Sequence, residues 1–319
     1  MSEQATFPGP PPARTGHANL VKESLRSYGM LLSLFAIMLF FQVMTDGTLL
    51  RPLNLTNLVL QNSYIVIMAL GMLMVIVTGH IDLSVGSVAG FIGALSAVLI
   101  VQFGIPFVAA ALLCLAVGGI IGGMQGWFVA YLKIPSFIVT LAGMLVFKGL
   151  MLSVLGGRSV GPFPVEFQRL SSGFIPEFFG QQGGVYMTSL LLGVVMALAM
   201  VWFAWRGRLR QQGHGVEVEP MPFFAVKTLV IAGMTIYLTF LIASHRGLPN
   251  VLLIMLVLIA LYAFVTNRTV VGRQIYAVGG NEKAAKLSGV KTERLTFLTF
   301  VNMGMLAALA GLIFTARLN

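Results

Sequence analysis

The stretch GHIDLSVGS at residues 79–87 sets Asp82, Ser84 and Ser87 among small residues that continue at Gly90 and Gly93. Asp is a strong helix N-cap, because its carboxylate accepts the first, otherwise unpartnered N–H groups and its charge complements the helix dipole. Asp82 therefore predicts a helix start at or near membrane depth. Irregular backbone there survives only where protein buries it or a watery cavity wets it, and broken helices of that kind build transport sites. The plain alternative is a structural cap between two adjacent spans. Upstream, Gln61, Asn62, Ser63 and Tyr64 carry amides and hydroxyls into an apolar run. Such neutral donors and acceptors suit an uncharged, hydroxylated ligand, and equally suit bonds between helices of about 0.6 kcal/mol each. Lys148 is the one basic residue inside a span, either a relay or ligand group or a side chain packed on polar backbone or water.

Other chemistry is excluded by residue type and spacing. The four histidines, His17, His80, His214 and His245, fall in four separate regions without metal-ligand spacing. Cys114 is the single cysteine, so neither an internal disulfide nor a cysteine-based metal site can form within one chain. There is no G-x-S-x-G nucleophile elbow. No lysine follows a glycine, so the phosphate-cradling loop of nucleotide triphosphatases is absent. The chain itself thus reads as carrying no catalytic residues, no metal and no cofactor. If ATP drives it, another subunit binds the ATP.

The elements that must hold these groups follow from composition. The chain has 319 residues, 57% apolar and 9% charged, with a mean hydropathy of +0.92. Soluble domains run about 45–50% apolar and about 25% charged, and a crossing helix needs roughly 20 apolar residues. The pattern predicts an all-α, polytopic transmembrane helical bundle with about nine spans. They fall near residues 29–45, 58–78, 83–102, 105–128, 134–155, 185–205, 223–244, 250–266 and 295–316. Residues 1–28, rich in Pro and without a signal-peptide pattern, read as a disordered cytoplasmic tail, and 29–319 as the membrane domain. The net charge of +10 does not call for nucleic acid. With the N-terminus inside, fourteen of the twenty Lys and Arg fall in cytoplasmic segments and five outside, as the positive-inside rule requires. The Arg-rich segment at 206–220 then reads as a topology anchor. The long outer segment at 156–184 is either a docking surface or a folded-over lid.

Two further patterns concern packing. GGIIGGMQG, residues 118–126, holds overlapping pairs of glycines four apart, which let helix backbones approach closely without saying whose helix the partner is. GGNEKAAKLSGV, residues 279–290, reads as a cytoplasmic two-turn helix. Asn281 is its N-cap, Glu282 complements the dipole and Gly289 ends it in a left-handed conformation. Ala284, Ala285 and Ser288 form a small face. A helix this short needs support from its flanking spans, either as a capped connector or with a partner protein seated on it.

GHIDLSVGSVAGF, IPSFIVTLAGMLVFKG and RQIYAVGGNEKAAKLSGVKTER, in this order, resemble the permease subunits of bacterial monosaccharide ABC importers, the ribose, xylose and galactose permease family. The multiple-monosaccharide and xylose branch is most similar, from about residue 28 to the last. The resemblance implies an inner-membrane, multi-pass subunit that works as a homodimer with a second permease copy, surrounded by lipid. A cytoplasmic ATP-binding subunit would energise it, and a periplasmic sugar-binding protein would deliver the monosaccharide. It implies ATPase-coupling contacts at Gly280, Glu282, Ala284, Ala285 and Gly289, and a substrate pathway at His80, Asp82 and Ser84, to which Gln61 and Asn62 add their polar groups. The alternatives from other classes are a stand-alone ion-coupled secondary transporter, which needs intramembrane ion ligands, and a structural membrane scaffold. Family members continue beyond TARLN with an acidic motif, a Gly-rich stretch and more spans. The ninth span, rich in Ala, Gly and Met, is therefore expected to wait for covering helices beyond Asn319.

Overall fold

Glycines decide how the bundle closes. In the computed structural model, which describes residue 29, residues 33–215 and residues 218–318, helix α4 (Phe107–Ala130) crosses helix α12 (Thr292–Leu318) at the glycine repeat. A Cβ at Gly118 would lie 2.5 Å from the Gly304 carbonyl oxygen, one at Gly122 2.2 Å from that of Phe300, and one at Gly304 2.1 Å from that of Gly118. Only glycine permits backbones this close. The partner helix thus belongs to the same chain. The tail expected over residues 1–28 lies outside the described residues.

Between these two helices and the first described segments, the order is regular. Helix α1 covers Ser33–Met44. Helix α2 is Pro52–Val77, and α3 is Val85–Ala97, continued by a π-helical turn over Val98–Gln102. After α4 come α5 (Ser136–Leu155), the short α6 (Val165–Ser172), α7 (Met187–Gly213), α8 (Met221–Ala243) and α9 (Asn250–Arg268). Helices α10 (Val270–Gly280) and α11 (Glu282–Leu287) precede α12. A two-residue hairpin, β1 (Gln181–Gln182) with β2 (Val185–Tyr186), sits before α7. The fold is the expected polytopic helical bundle. Eight helices among the described residues are long and apolar enough to cross a membrane. Of the first expected span, the described residues show helix at Gly29 and over Ser33–Met44.

Helix α12 is packed by several helices of this chain. Its most apolar window is 61% buried, more than that of any other span. Besides α4, it meets α3, where a Cβ at Gly311 would come within 2.3 Å of the Ala89 carbonyl oxygen. It also meets α2, where one at Gly71 would come within 2.8 Å of Met303 Sδ. Small residues therefore put this helix at the centre of the bundle rather than at an open edge.

The ends of the bundle divide as alternate crossings require. At one end Lys133, between α4 and α5, lies 3.9 Å from Glu282 and 3.8 Å from Glu293. At the other, the long segment between α5 and α7 folds over the helices. Phe167 of α6 is fully buried beside Phe163, in a cluster with Leu312 and Ala316 of α12. The Asn250 side chain donates to the Arg169 carbonyl at 2.8 Å. That segment is a packed cover over this end of the bundle, and Glu177 within it accepts the Thr188 N–H at 2.9 Å, capping the start of α7. Helices α7 and α8 pack chiefly on each other, with a Cβ at Gly193 only 2.2 Å from Thr239 Cγ2.

Candidate functional site

The break between α2 and α3 is built so that its backbone groups are satisfied. Thr78, Gly79 and His80 donate their N–H groups back to Met74, Ile76 and Val75, with Gly79 at φ +81° allowing the chain to turn. The Ile81 N–H donates to Ser136 Oγ at the start of α5, at 3.1 Å. Asp82 is 5% exposed. Its Oδ1 accepts the Ser84 N–H at 2.8 Å and the Ser84 hydroxyl at 2.7 Å, and its carboxylate also takes the Val85 N–H. These are the capping bonds of α3, supplied from two residues upstream of its Ser84 N-cap.

Burial raises the Asp82 carboxyl above the ordinary carboxylate range, and the bonds from Ser84 and Val85 pull it back in part. Gln125 of α4 donates its side-chain amide to Ser84 Oγ at 2.9 Å. Above it sits Gly143 of α5, where a Cβ would stand 2.4 Å from Gln125 Nε2. Asp82, Ser84 and Gln125 thus form one buried polar junction of three helices. Gln125 carried no signal in the sequence beyond being an amide inside the glycine repeat.

His80 is half-buried, with its ring 6.0 Å from that of Phe300. Burial lowers its pKa below the ordinary imidazole value; Glu282 opposes this and Lys133 reinforces it. Gln61 and Asn62 are not in this cluster. They are exposed on α2, sixteen and fifteen residues before its end, about 24 Å along the helix for Gln61. Asn62 spends its amide on the Leu58 carbonyl of its own helix, at 2.9 Å. The expected pathway residues therefore fall into two groups, one at the charged end of the bundle and one well along α2. A second polar pair, Tyr262 and Asn302, is hydrogen-bonded between α9 and α12 and went unread in the sequence. It borders a cavity of about 220 Å³ whose other walls, Thr299 apart, are apolar, among them Met74 and Leu261. Lys148 is exposed on α5, away from the core of this chain.

The segment after α9 forms a helical elbow. Thr269 caps α10, accepting the Gly272 N–H at 3.2 Å. Ile275 and Val278 bury its inner face. At its end, a Cβ on Gly279 would stand 1.8 Å from the Val77 carbonyl oxygen, whereas Gly280 has nothing within 4 Å. Helix α11 follows as expected. Asn281 Oδ1 accepts the Ala284 N–H at 3.0 Å, and Gly289 ends the helix at φ +87°.

The faces of α11 differ from the small face expected. Ala285 is 6% exposed and belongs to a core cluster with Leu295, Ile275 and Val278, so it faces this chain rather than outward. Leu287 is 91% exposed, the most exposed large apolar side chain described. Gly280, Glu282, Ala284 and Gly289 are exposed beside it. Lys286 bonds to Glu293 at the start of α12, and this bond, with the charge of Glu293, raises the lysine's pKa. Among the described residues no group of three His, Cys, Asp or Glu could ligate an ion.

Comparison with known proteins agrees with this architecture. The protein-family model for the branched-chain amino acid transport system / permease component matches residues 54–319. The chain is 36% identical, over 97% of its length and 76% of the relative's, to the xylose transport system permease protein XylH of Escherichia coli strain K12. It is 37% identical to XylH of Haemophilus influenzae over 93% of its length and 76% of the relative's. To the ribose import permease protein RbsC of Bacillus subtilis it is 30% identical, over 92% and 70%. No solved structure matches. With eight crossing helices, an elbow presenting a bare leucine and a family match over most of its length, the chain belongs to this family of membrane transport permease components.

Proposed function

We propose that this chain is the translocating subunit of an ATP-driven monosaccharide importer of a bacterial inner membrane, moving sugar inward by alternating access. The xylose and ribose permeases that it resembles supply the substrate class. The observation that carries the reading is Leu287, held 91% exposed at the end of a helix that its own chain caps and packs. A bare leucine costs burial energy of about 1.5–3 kcal/mol when left in water, and a pocket on a cytoplasmic ATP-binding subunit would recover it. Gly280, Glu282, Ala284 and Gly289 complete the contact, while Ala285 fastens α11 to the bundle. This puts the α11 end and the N-terminus in the cytoplasm, as the excess of basic residues there supports. The opposite face, covered by α6 and the hairpin, would receive a periplasmic sugar-binding protein. Asp82 and Ser84 position the start of α3, and Gln61 and Asn62 offer sugar-compatible groups on α2, with a second permease copy completing the pathway.

Uptake of labelled pentose into vesicles containing this chain, the neighbouring ATP-binding subunit and a binding protein tests this. Uptake should require ATP and survive a proton ionophore. Uptake without the ATP-binding subunit, abolished by the ionophore, would instead establish the ion-coupled alternative. Leu287→Asp should abolish co-purification of the ATP-binding subunit while leaving the permease folded; unchanged co-purification would refute the contact.

A further inference from the structure

Helices α7 and α8 leave a cleft of about 530 Å³ between them at the end where residues 214–220 connect them. Its outer part is polar and basic. Arg208 donates to the Glu219 carbonyl oxygen at 2.6 Å, and its guanidinium carbon lies 4.9 Å from the centre of the Phe224 ring, so two contacts hold it at the cleft mouth. Lys227 Nζ sits 3.3 Å from Glu219 Oε1, and Gln211 and Thr228 add neutral donors. Its inner part is apolar, walled by Met200 and Ile231. Met200 lies eight residues up the helix from Arg208, about 12 Å deeper.

The charge around the mouth is unbalanced. By sequence, the cations Arg206, Arg208, Arg210 and Lys227 are set against two acids in this stretch, Glu217 and Glu219. Service as a topology anchor explains the sign of that charge but not a cleft graded from basic to apolar. Trp205 and Trp202, 42% and 49% exposed, stand on α7 between the mouth and the deep walls, about 4.5 and 9 Å along the helix from Arg208, with Arg206 stacked 4.3 Å over the Trp202 ring. Tryptophans at a helix end mark the membrane–water interface, so the mouth lies at headgroup height and the deep walls at acyl-chain height. We propose that the cleft between α7 and α8 binds an anionic phospholipid, its phosphate between Arg208 and Lys227 and an acyl chain along Met200 and Ile231. Basic pockets between membrane helices suit such headgroups. The inference holds whichever side of the membrane this end faces.

The test uses the full chain purified in mild detergent and mixed with equal amounts of phosphatidylglycerol and phosphatidylcholine of matched acyl chains. Native mass spectrometry reads the lipid retained. Each cation near an anionic headgroup contributes roughly fivefold, so phosphatidylglycerol should be preferred by on the order of tenfold. Arg208→Gln with Lys227→Gln should erase that preference. Glu219→Gln frees Lys227 from its acid while keeping the backbone carbonyl that holds Arg208. It should raise phosphatidylglycerol retention a few-fold, a gain that a misfolded chain cannot produce. Excess inorganic phosphate should leave the retained lipid in place. Displacement by phosphate would assign the site to a free anion and overturn the lipid proposal. So would equal retention of both lipids by the unaltered chain, an unchanged preference in the double variant, or no gain in Glu219→Gln.

Discussion

Adjacent glycines at the end of α10 should behave oppositely when each becomes alanine. At Gly279 the added methyl would stand 1.8 Å from the Val77 carbonyl oxygen, where real Cβ contacts do not fall below 3.0 Å. Helices α10 and α2 must therefore separate by about 1.2 Å, or their backbones must distort. Forcing an extra carbon into packed structure costs about 1–3 kcal/mol, and a rigid carbonyl as the obstacle puts Gly279→Ala at the upper end. At Gly280 the same methyl meets nothing within 4 Å. Both changes gain the same helix propensity, about 1 kcal/mol, so the difference between the variants isolates the overlap at about 2–3 kcal/mol. Thermal unfolding of the purified chain, read from intrinsic tryptophan fluorescence, measures it. Gly279→Ala should unfold at a lower temperature than the unaltered protein, and Gly280→Ala at an equal or higher one. Under the proposed function, Gly280→Ala should still weaken co-purification of the ATP-binding subunit, separating a partner contact from a fold contact one residue away. Equal midpoints for the two variants would refute the reasoning.

Four further outcomes follow. Gly122→Val should block the crossing of α4 with α12 and abolish folded protein, measured by size-exclusion recovery from detergent, whereas Gly123→Ala, with its nearest neighbour 3.5 Å away, should be tolerated. Asp82→Asn keeps a capping oxygen and should retain folded protein, while Asp82→Leu, which strands the Ser84 and Val85 N–H groups, should lose about 1–3 kcal/mol; equal recovery of the two would refute the cap. Because burial depresses the His80 pKa, the unfolded chain takes up this proton first, so stability is full above about pH 6.5 and declines as pH falls below it; His80→Gln should flatten that decline in unfolding midpoints. Glu282→Lys places a positive charge at the start of α11 and beside Lys133, so the chain should still insert while ATP-dependent uptake falls sharply; normal uptake would remove Glu282 from the contact.

How much of this was legible depended on whether a residue acts through local backbone or through a distant partner. Asn281 and Gly289 were readable because capping and left-handed turns are set within four residues. The glycines at 118, 122 and 126 announced a close crossing, yet spacing does not name a partner. The matching signal lay in α12, where Phe300, Gly304 and Ala308 repeat at the same interval of four and take those glycines in turn. The faces of α11 were misjudged because six residues are too few for a periodicity to choose a face. Ala285, smaller and less apolar than Leu287, goes inward since the flanking Val290 and α12 fix the helix's rotation. Helix α6 is hidden for a related reason: in VEFQRLSS Phe167 is the one buried apolar residue, its buried companion Ser171 is polar, and together they make no apolar pattern. Gln125 was unreadable, since its meaning lies in Ser84, 41 residues away.

These contacts also fix which connections from α11 into the bundle are stiff. Two kinds run from the elbow to the α2–α3 break. The first is ionic: Lys133 to Glu282 at 3.9 Å and to Glu293, with the side chain of Lys133 57% exposed. Long side chains in water stretch, rotate and are screened, so displacement of α11 is absorbed by their rotamers before it reaches another helix. The second is made of backbone. Gly279 abuts the Val77 carbonyl with no side chain between them, and Asp82 follows Val77 by five residues, its carboxylate holding the first N–H groups of α3. Ser84 then joins Gln125 beneath Gly143, so α4 and α5 meet the same point. Short buried side chains and bare peptide groups have few rotamers with which to yield, and close-packed interiors transmit strain rather than absorb it. Under the proposed function, a load applied at Leu287 would enter the bundle through the buried Ala285, Gly279 and the Asp82 cap, with the exposed ion pairs steadying the elbow without carrying that load.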